Sequence, residues 1–235
     1  MKPANIANIV ATNQGKLPLT MKKPVAAPLG VQQVEAYMAG GHIIVDTRSS
    51  AEFGSGHIPG AFHAHLSSPE FEQRVGWITP LDVPIILVTG KDEEAQRAIY
   101  NMAFIALDGR VAGYLQGGMD AWMGAGRAMA TLPQIDVFSL RDRLSSNGLQ
   151  VLDVREDDEY EEGHIEVARN LSFKLIPTRL PTLDLDKAKP LALTCATGKR
   201  SSSAASLLLR EGFKELYNVT GGMEAWNSAD FDVVF

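Results

Sequence analysis

The stretches IIVDTRSSAEFGSGHIPGA at residues 43–61 and QVLDVREDDEYEEGHIEVA at residues 150–168 repeat one pattern. In each, an aspartate and an arginine lie two positions apart, followed by an acidic residue before an aromatic one and then by Gly-His-Ile. Two further pairs of segments repeat in the same order: residues 84–89 with 190–195, and residues 117–122 with 221–226. Three blocks in one order at nearly constant spacing indicate a duplicated domain.

The repeat divides the chain into three parts. We predict an N-terminal arm or linker at residues 1–24, a first domain at residues 25–128 and a second domain at residues 129–235. Near the boundary between the copies, Gly124, Gly126 and Pro133 interrupt any regular pattern.

Short apolar runs alternate with helix-like segments in both copies. The runs at residues 43–45, 85–88, 151–152 and 191–193 are typical of buried strands. Residues 201–211 have the pattern of a helix that ends at Gly212. Strands separated by helices imply parallel pairing. The predicted fold class is therefore α/β, with two tandem domains that are each a small parallel sheet flanked by helices.

Composition excludes several classes of function. The formal net charge is -6, which disfavours a nucleic-acid partner because phosphate binding depends on a basic surface. No apolar run approaches the roughly 18 residues of a membrane span, and the N-terminus has no apolar signal-peptide core. We therefore expect a cytoplasmic protein that binds neither nucleic acid nor membrane.

The one cysteine of the chain, Cys195, lies in the segment CATGKR between a predicted strand and a predicted helix. The N-terminus of that helix, together with Lys199 and Arg200, favours a thiolate and binds anions. Gly198 allows backbone angles that other residues resist. We predict Cys195 as the catalytic nucleophile, although a lone cysteine can also be a small buried hydrophobe. The predicted substrate-binding residues are Ala196, Thr197, Gly198, Lys199 and Arg200.

Both copies resemble rhodanese domains. The resemblance depends on three motifs of the second copy: Asp153 and Arg155 with Glu159-Tyr160 and Gly163-His164-Ile165; Cys195, Gly198 and Arg200 as C-x-x-G-x-R; and Gly221-Gly222 with Trp226. The family implies a five-stranded parallel sheet and sulfur transfer through a cysteine persulfide. It also implies thiosulfate or a low-molecular-weight persulfide as donor, a thiol, sulfite or cyanide as acceptor, and no cofactor.

The first copy differs from the family pattern at the position of the cysteine. Position 89, aligned with Cys195, is a threonine, and a hydroxyl cannot hold a transferable sulfur. On the same alignment Asp92, Glu93 and Glu94 replace residues 198–200, and their charges would repel anionic donors. We expect the first copy to be catalytically inactive.

We assign structural roles, not catalytic or metal-binding ones, to several polar residues. Asp153, Arg155 and His164 have counterparts in the inactive copy, so we expect them to fix the turn after the strand. His63-Ala64-His65 has the form of a metal motif, but no further ligand follows at a suitable spacing, and we expect no metal. The acidic residues between 156 and 162 are interpreted as a solvated helix start or, alternatively, as a surface for a basic partner.

The arm has a resemblance of its own. PANIANIV at residues 3–10, followed by NQG at residues 13–15, resembles the segment that joins a metallo-β-lactamase-like persulfide dioxygenase to rhodanese domains in fusion proteins. It implies sulfide and persulfide metabolism and a possible dioxygenase partner. This chain lacks the histidine and aspartate metal ligands of that enzyme.

Two other functions stay open on sequence alone. Cysteine phosphatases and arsenate reductases use similar loops, but the phosphatase pattern Cys-x5-Arg would need an arginine at position 201, which is a serine here. A non-catalytic binding or regulatory module describes the first copy, and would describe the whole chain if Cys195 were unreactive.

Overall fold

The computed structural model describes residues 6–16, 24–145 and 148–235. They form two compact units. One comprises the chain up to Ser49 together with Gly56–Ala130, and the other comprises Ser50–Ser55 together with Thr131–Phe235. Within the predicted arm, Ile6–Asn13 is a helix, α1, while residues 1–5 and 17–23 lie outside the described residues.

The first domain contains a five-stranded parallel sheet with the order β1-β5-β4-β2-β3. Its strands are β1 (Pro28–Leu29), β2 (Ile43–Asp46), β3 (Phe62–His63), β4 (Ile85–Val88) and β5 (Val111–Leu115). The helices along this part of the chain are α2 (Val31–Ala39), α3 (Ser50–Ser55), α4 (Phe71–Ile78), α5 (Asp92–Ala103) and α6 (Gly118–Gly124), of which α3 belongs to the second compact unit.

The second domain repeats this topology with the order β6-β10-β9-β7-β8, again all parallel. Its strands are β6 (Gln134–Ile135), β7 (Gln150–Asp153), β8 (Ala168–Asn170), β9 (Leu191–Thr194) and β10 (Leu216–Val219). Its helices are α7 (Val137–Leu144), α8 (Asp157–Glu161), α9 (Ile176–Arg179), α10 (Lys199–Arg210) and α11 (Gly222–Ser228). The predicted α/β class and the tandem arrangement are confirmed.

The position of Cys195 in the sheet follows from the central strand β9. Every residue of β9 is buried, as expected for a parallel strand that is covered on both faces. Its neighbours β7 and β10 pair with it on either side, so Cys195 emerges at the carboxyl edge of the middle of the sheet, where α/β folds bind ligands.

Helix α10 begins two residues earlier than the sequence predicted. It starts at Lys199 because Gly198, with φ +89°, turns the chain directly into the helix. Lys199 and Arg200 therefore belong to the first helical turn. The inner face of α10 is made of small residues, with Ser201, Ala204 and Ala205 fully buried.

Candidate active site

The sulfur of Cys195 is buried at the start of a short loop. The residue is 1% exposed, and its Sγ accepts a hydrogen bond of 3.1 Å from the N–H of Gly198. A Cβ at position 198 would lie 2.9 Å from the carbonyl oxygen of Val219 and would have to adopt φ +89°. Glycine is therefore required for the backbone to curl around the sulfur.

The carbonyl groups of the loop point towards α11. The N–H of Met223 donates to the Cys195 carbonyl at 2.8 Å, and that of Glu224 donates to the Ala196 carbonyl at 3.0 Å. This docking needs Gly222, where a Cβ would lie only 2.1 Å from the Cys195 carbonyl oxygen. The motif Gly221-Gly222, found both in the internal repeat and in the family resemblance, thus holds the cysteine loop in place.

The N-terminus of α10 presents donors beside the sulfur. No side chain caps this helix, and in the described part of the chain no acceptor meets the N–H groups of Lys199, Arg200 and Ser201. Unsatisfied N–H groups at a helix N-terminus stabilise a bound anion. The arrangement suits a thiolate, a persulfide or an anionic sulfur donor.

The two predicted cations differ in their surroundings. Arg200 donates from both terminal nitrogens to both carboxylate oxygens of Glu159, at 2.5 and 2.6 Å. Burial opposes the charge of Arg200, but the Glu159 hydrogen bond and the charges of Cys195 and Glu159 raise its pKa above the ordinary value. Lys199 is half-buried and makes no ion pair to any residue that the structure describes.

The acidic residues between 156 and 162 are not all part of a solvated helix start. Glu159 pairs with Arg200, whose hydrogen bond holds the pKa of this glutamate below its usual value. Glu156 forms an ion pair with Lys174 at 3.0 Å, and its N–H donates to Glu159. These two carboxylates are therefore engaged in ion pairs within the second domain.

The sequence analysis did not predict the roles of three polar residues that are hydrogen-bonded next to the cysteine. Ser201 Oγ lies 3.5 Å from Cys195 Sγ and donates to Asn218 Oδ1 at 2.6 Å. Asn218 donates from Nδ2 to Gln134 Oε1 at 2.7 Å and to the Gly198 carbonyl at 3.1 Å. An asparagine inside the strand LYNV was the available signal, since asparagine is depleted in strands.

The structure places Asp153, Arg155 and His164 around a turn. The Arg155 guanidinium meets Asp153 at 2.7 Å and donates to the Gly163 carbonyl at 2.8 Å. The His164 ring stacks on Tyr160, with centroids 3.6 Å apart. The hydrogen bonds of Cys195 Sγ go to Gly198 and Ser201, not to these residues.

The corresponding loop of the first domain is built differently. It comprises residues 89–91 between β4 and α5, against 195–198 in the second domain, and Lys91 precedes the helix with φ -138°. Asp92 therefore corresponds to Lys199, and the alignment of residues 92–94 with 198–200 was wrong by one residue. Asp92 Oδ1 accepts from the Gly117 N–H at 2.9 Å.

Thr89 takes the place of the cysteine at the end of β4. It is 1% exposed, and its hydroxyl has no hydrogen-bond partner in the described chain.

Across residues 6–16, 24–145 and 148–235, no three His, Cys, Asp or Glu side chains gather as a metal site would require. His63 bonds through Nε2 to the Arg48 carbonyl at 2.9 Å, and burial lowers the pKa of His63 to about 3.

None of the described helices is both long enough and apolar enough to traverse a bilayer.

Comparison with known proteins gives matches over both domains. The model of the rhodanese-like domain family matches residues 30–125 and 137–229. A thiosulfate sulfurtransferase GlpE from Pseudomonas paraeruginosa is 36% identical over 86 residues, which are 37% of this chain and 76% of the relative. One from Shewanella oneidensis is 29% identical over 102 residues, covering 43% of this chain and 99% of the relative. A rhodanese-related protein from Thermoplasma volcanium superposes with a TM-score of 0.40 at 28% identity, over 43% of this chain and 97% of that chain.

Proposed function

Because this chain belongs to the rhodanese family, with two rhodanese-like domains, we propose that it is a sulfurtransferase that carries sulfur on Cys195. The observation that carries the proposal is the environment of that thiol. Its sulfur lies at the N-terminus of α10, accepts the Gly198 N–H, and is next to backbone donors without protein acceptors. Similarity to thiosulfate sulfurtransferases supports the same reaction class.

Sulfur loading is a nucleophilic displacement at the donor. The Cys195 thiolate attacks the outer sulfur of thiosulfate, a sulfur–sulfur bond forms to Sγ, and the bond to the sulfonate sulfur breaks. Sulfite leaves with the bonding electron pair, and the negative charge of the nucleophile passes to the terminal sulfur of the persulfide. A low-molecular-weight persulfide loads the protein in the same way and leaves as a thiolate. The N–H groups of α10 stabilise the anion that forms.

Unloading requires an acceptor from outside. A thiolate, sulfite or cyanide attacks the terminal sulfur, and the Cys195 thiolate leaves with the electron pair of the broken bond. The chain has one cysteine, so no thiol of its own can take the sulfur. The donor and the acceptor therefore use the site in turn.

Charge favours a small anionic donor. The Lys199 ammonium forms no ion pair with any described residue, whereas the guanidinium of Arg200 is engaged by Glu159. The engagement of Arg200 also argues against a phosphatase, in which an arginine must be open to a phosphate.

We assign no chemistry to the first domain. Its threonine carries no transferable sulfur, and its loop lacks the left-handed glycine that turns an N–H towards Sγ in the second copy. A binding or regulatory role fits this domain. A persulfide dioxygenase partner and a cytoplasmic location stay predictions from the sequence.

The test is sulfite release from thiosulfate with a thiol acceptor, using the full chain and the variant Cys195→Ser. The wild type should release sulfite with parallel-line kinetics in double-reciprocal plots, as expected for a covalent intermediate. The variant should be inactive and folded. Activity in Cys195→Ser would overturn the proposal.

A further inference from the structure

We propose that Asn218 is a positioning residue that makes Ser201 a hydrogen-bond acceptor towards Cys195, and that this polarity biases the site towards holding sulfur. The inference rests on the proposed function, and it concerns the balance between the loaded and unloaded states of Cys195. It is carried by the chain of hydrogen bonds that runs from the half-buried Gln134 through the buried Asn218 and Ser201 to the sulfur.

The orientation of the Asn218 amide is fixed by its surroundings. The Gly198 carbonyl can only accept, so the amide atom that meets it at 3.1 Å must be nitrogen. Gln134 is itself anchored, because its Nε2 donates to the Leu132 carbonyl at 2.9 Å, which leaves Oε1 to accept from Asn218. Both hydrogens of the Asn218 amide are therefore used, and its oxygen faces Ser201.

The hydroxyl of Ser201 then has no proton left for the sulfur. A serine hydroxyl has one proton, and here it is donated to Asn218 Oδ1 at 2.6 Å. What faces Cys195 Sγ across 3.5 Å is an oxygen lone pair. Ser201 and Asn218 are both 0% exposed, so water does not restore a donor.

A lone pair at this position affects the states of Sγ unequally. A thiol can donate its proton to Ser201, and in a persulfide Sγ is bonded to a second sulfur that carries the charge. A Cys195 thiolate places its charge on Sγ itself and is opposed. Because the thiolate is the leaving group when an acceptor removes the sulfur, removal of the sulfur from Cys195 should be less favourable.

The test uses two variants that should raise the alkylation rate of Cys195 to different extents. Ser201→Ala removes the lone pair, and Asn218→Ala frees the Ser201 proton to turn towards the thiolate. One hydrogen bond of about 1 kcal/mol corresponds to roughly fivefold. The alkylation rate of unloaded protein by iodoacetamide at neutral pH should rise by about that factor in Ser201→Ala and further in Asn218→Ala.

Two controls separate polarity from loosened packing. Ser206 is a buried serine of the same helix that donates to the Ser203 carbonyl at 2.6 Å, and Ser206→Ala should leave the alkylation rate unchanged. At strongly alkaline pH, where thiols are ionised, all variants should react alike. A rise at both pH values would mean greater access, and would overturn the assignment.

The bias itself is read from the loaded fraction. Each protein is equilibrated with glutathione persulfide and excess glutathione at strongly alkaline pH, where the unloaded cysteine is a thiolate, and the sulfur on Cys195 is counted by intact mass. The loaded fraction should fall in the order wild type, Ser201→Ala, Asn218→Ala. An unchanged fraction in Ser201→Ala would overturn the proposal while leaving the sulfurtransferase assignment standing. A wild type that takes up no sulfur would overturn the sulfurtransferase assignment itself, and the alkylation order would still report the polarity of Ser201.

Discussion

The substitution Gly222→Ala should detach the reactive loop from its support. The new Cβ would lie 2.1 Å from the Cys195 carbonyl oxygen, whereas ordinary contacts begin at 3.4 Å. The loop and α11 must therefore separate by about 1 Å, and a displacement of this size costs roughly a hundredfold in turnover.

The same substitution should lower stability by a sum of identifiable effects. Two hydrogen bonds, from Met223 and Glu224 to the loop carbonyls, contribute about 0.5–1.5 kcal/mol each. Position 222 has φ +53°, which costs a non-glycine residue about 1–2 kcal/mol. The total is about 2–5 kcal/mol, or a fall in Tm of at least about 8 °C for a domain of this size.

A matched control isolates the backbone angle from the clash. Gly212 also has a left-handed angle, φ +88°, but a Cβ there meets nothing within 4 Å. Gly212→Ala should therefore cost only about 1–2 kcal/mol and leave sulfite release intact. The assay compares sulfite release and thermal unfolding of both variants. Full turnover in Gly222→Ala, with the same Tm as Gly212→Ala, would refute the docking argument.

Three further predictions concern the Arg200–Glu159 ion pair and the loop of the first domain. Arg200 holds the pKa of Glu159 below its usual value, so the pair should stabilise the fold above about pH 4.3 and lose that effect as pH falls through the lowered pKa; Glu159→Gln should unfold with a weaker dependence on acid, measured by urea melts across pH. Arg200→Ala leaves an unpaired carboxylate near Cys195 and should slow thiosulfate turnover roughly tenfold or more, while Arg200→Ala/Glu159→Ala should recover part of it; a double variant no faster than the single one would contradict this. Thr89→Cys should not take up a second sulfur as fast as Cys195, because its loop is one residue shorter and lacks the left-handed glycine; equal loading by intact mass would show that the loop is not what silences the first copy.

The sequence was sufficient to predict the two sheets, because the repeat and the fully apolar strands are local patterns. It was also sufficient to place Cys195, since a strand that passes through a glycine loop into a helix puts a side chain at the sheet edge. Glycines 198 and 222 illustrate the limit of this reasoning. Their necessity lies in contacts with Val219 and Cys195, which are distant in sequence.

The parts that sequence reasoning missed depend on long-range pairing. The sequence near Arg200 does not predict the ion pair with Glu159, because Glu159 lies on another helix of the same domain. The hydrogen-bond chain of Gln134, Asn218 and Ser201 likewise joins three separate elements. The shortened first loop could not be recognised from an alignment without gaps, since the strand and the helix around it differ in offset by one residue.

Intact-protein mass spectrometry after incubation with thiosulfate tests the central claim most directly. The full chain should gain the mass of one sulfur atom, lose it when a thiol acceptor is added, and show no gain in Cys195→Ser. A wild type that stays at its original mass, or a Cys195→Ser variant that still gains sulfur, would contradict sulfur transfer through Cys195.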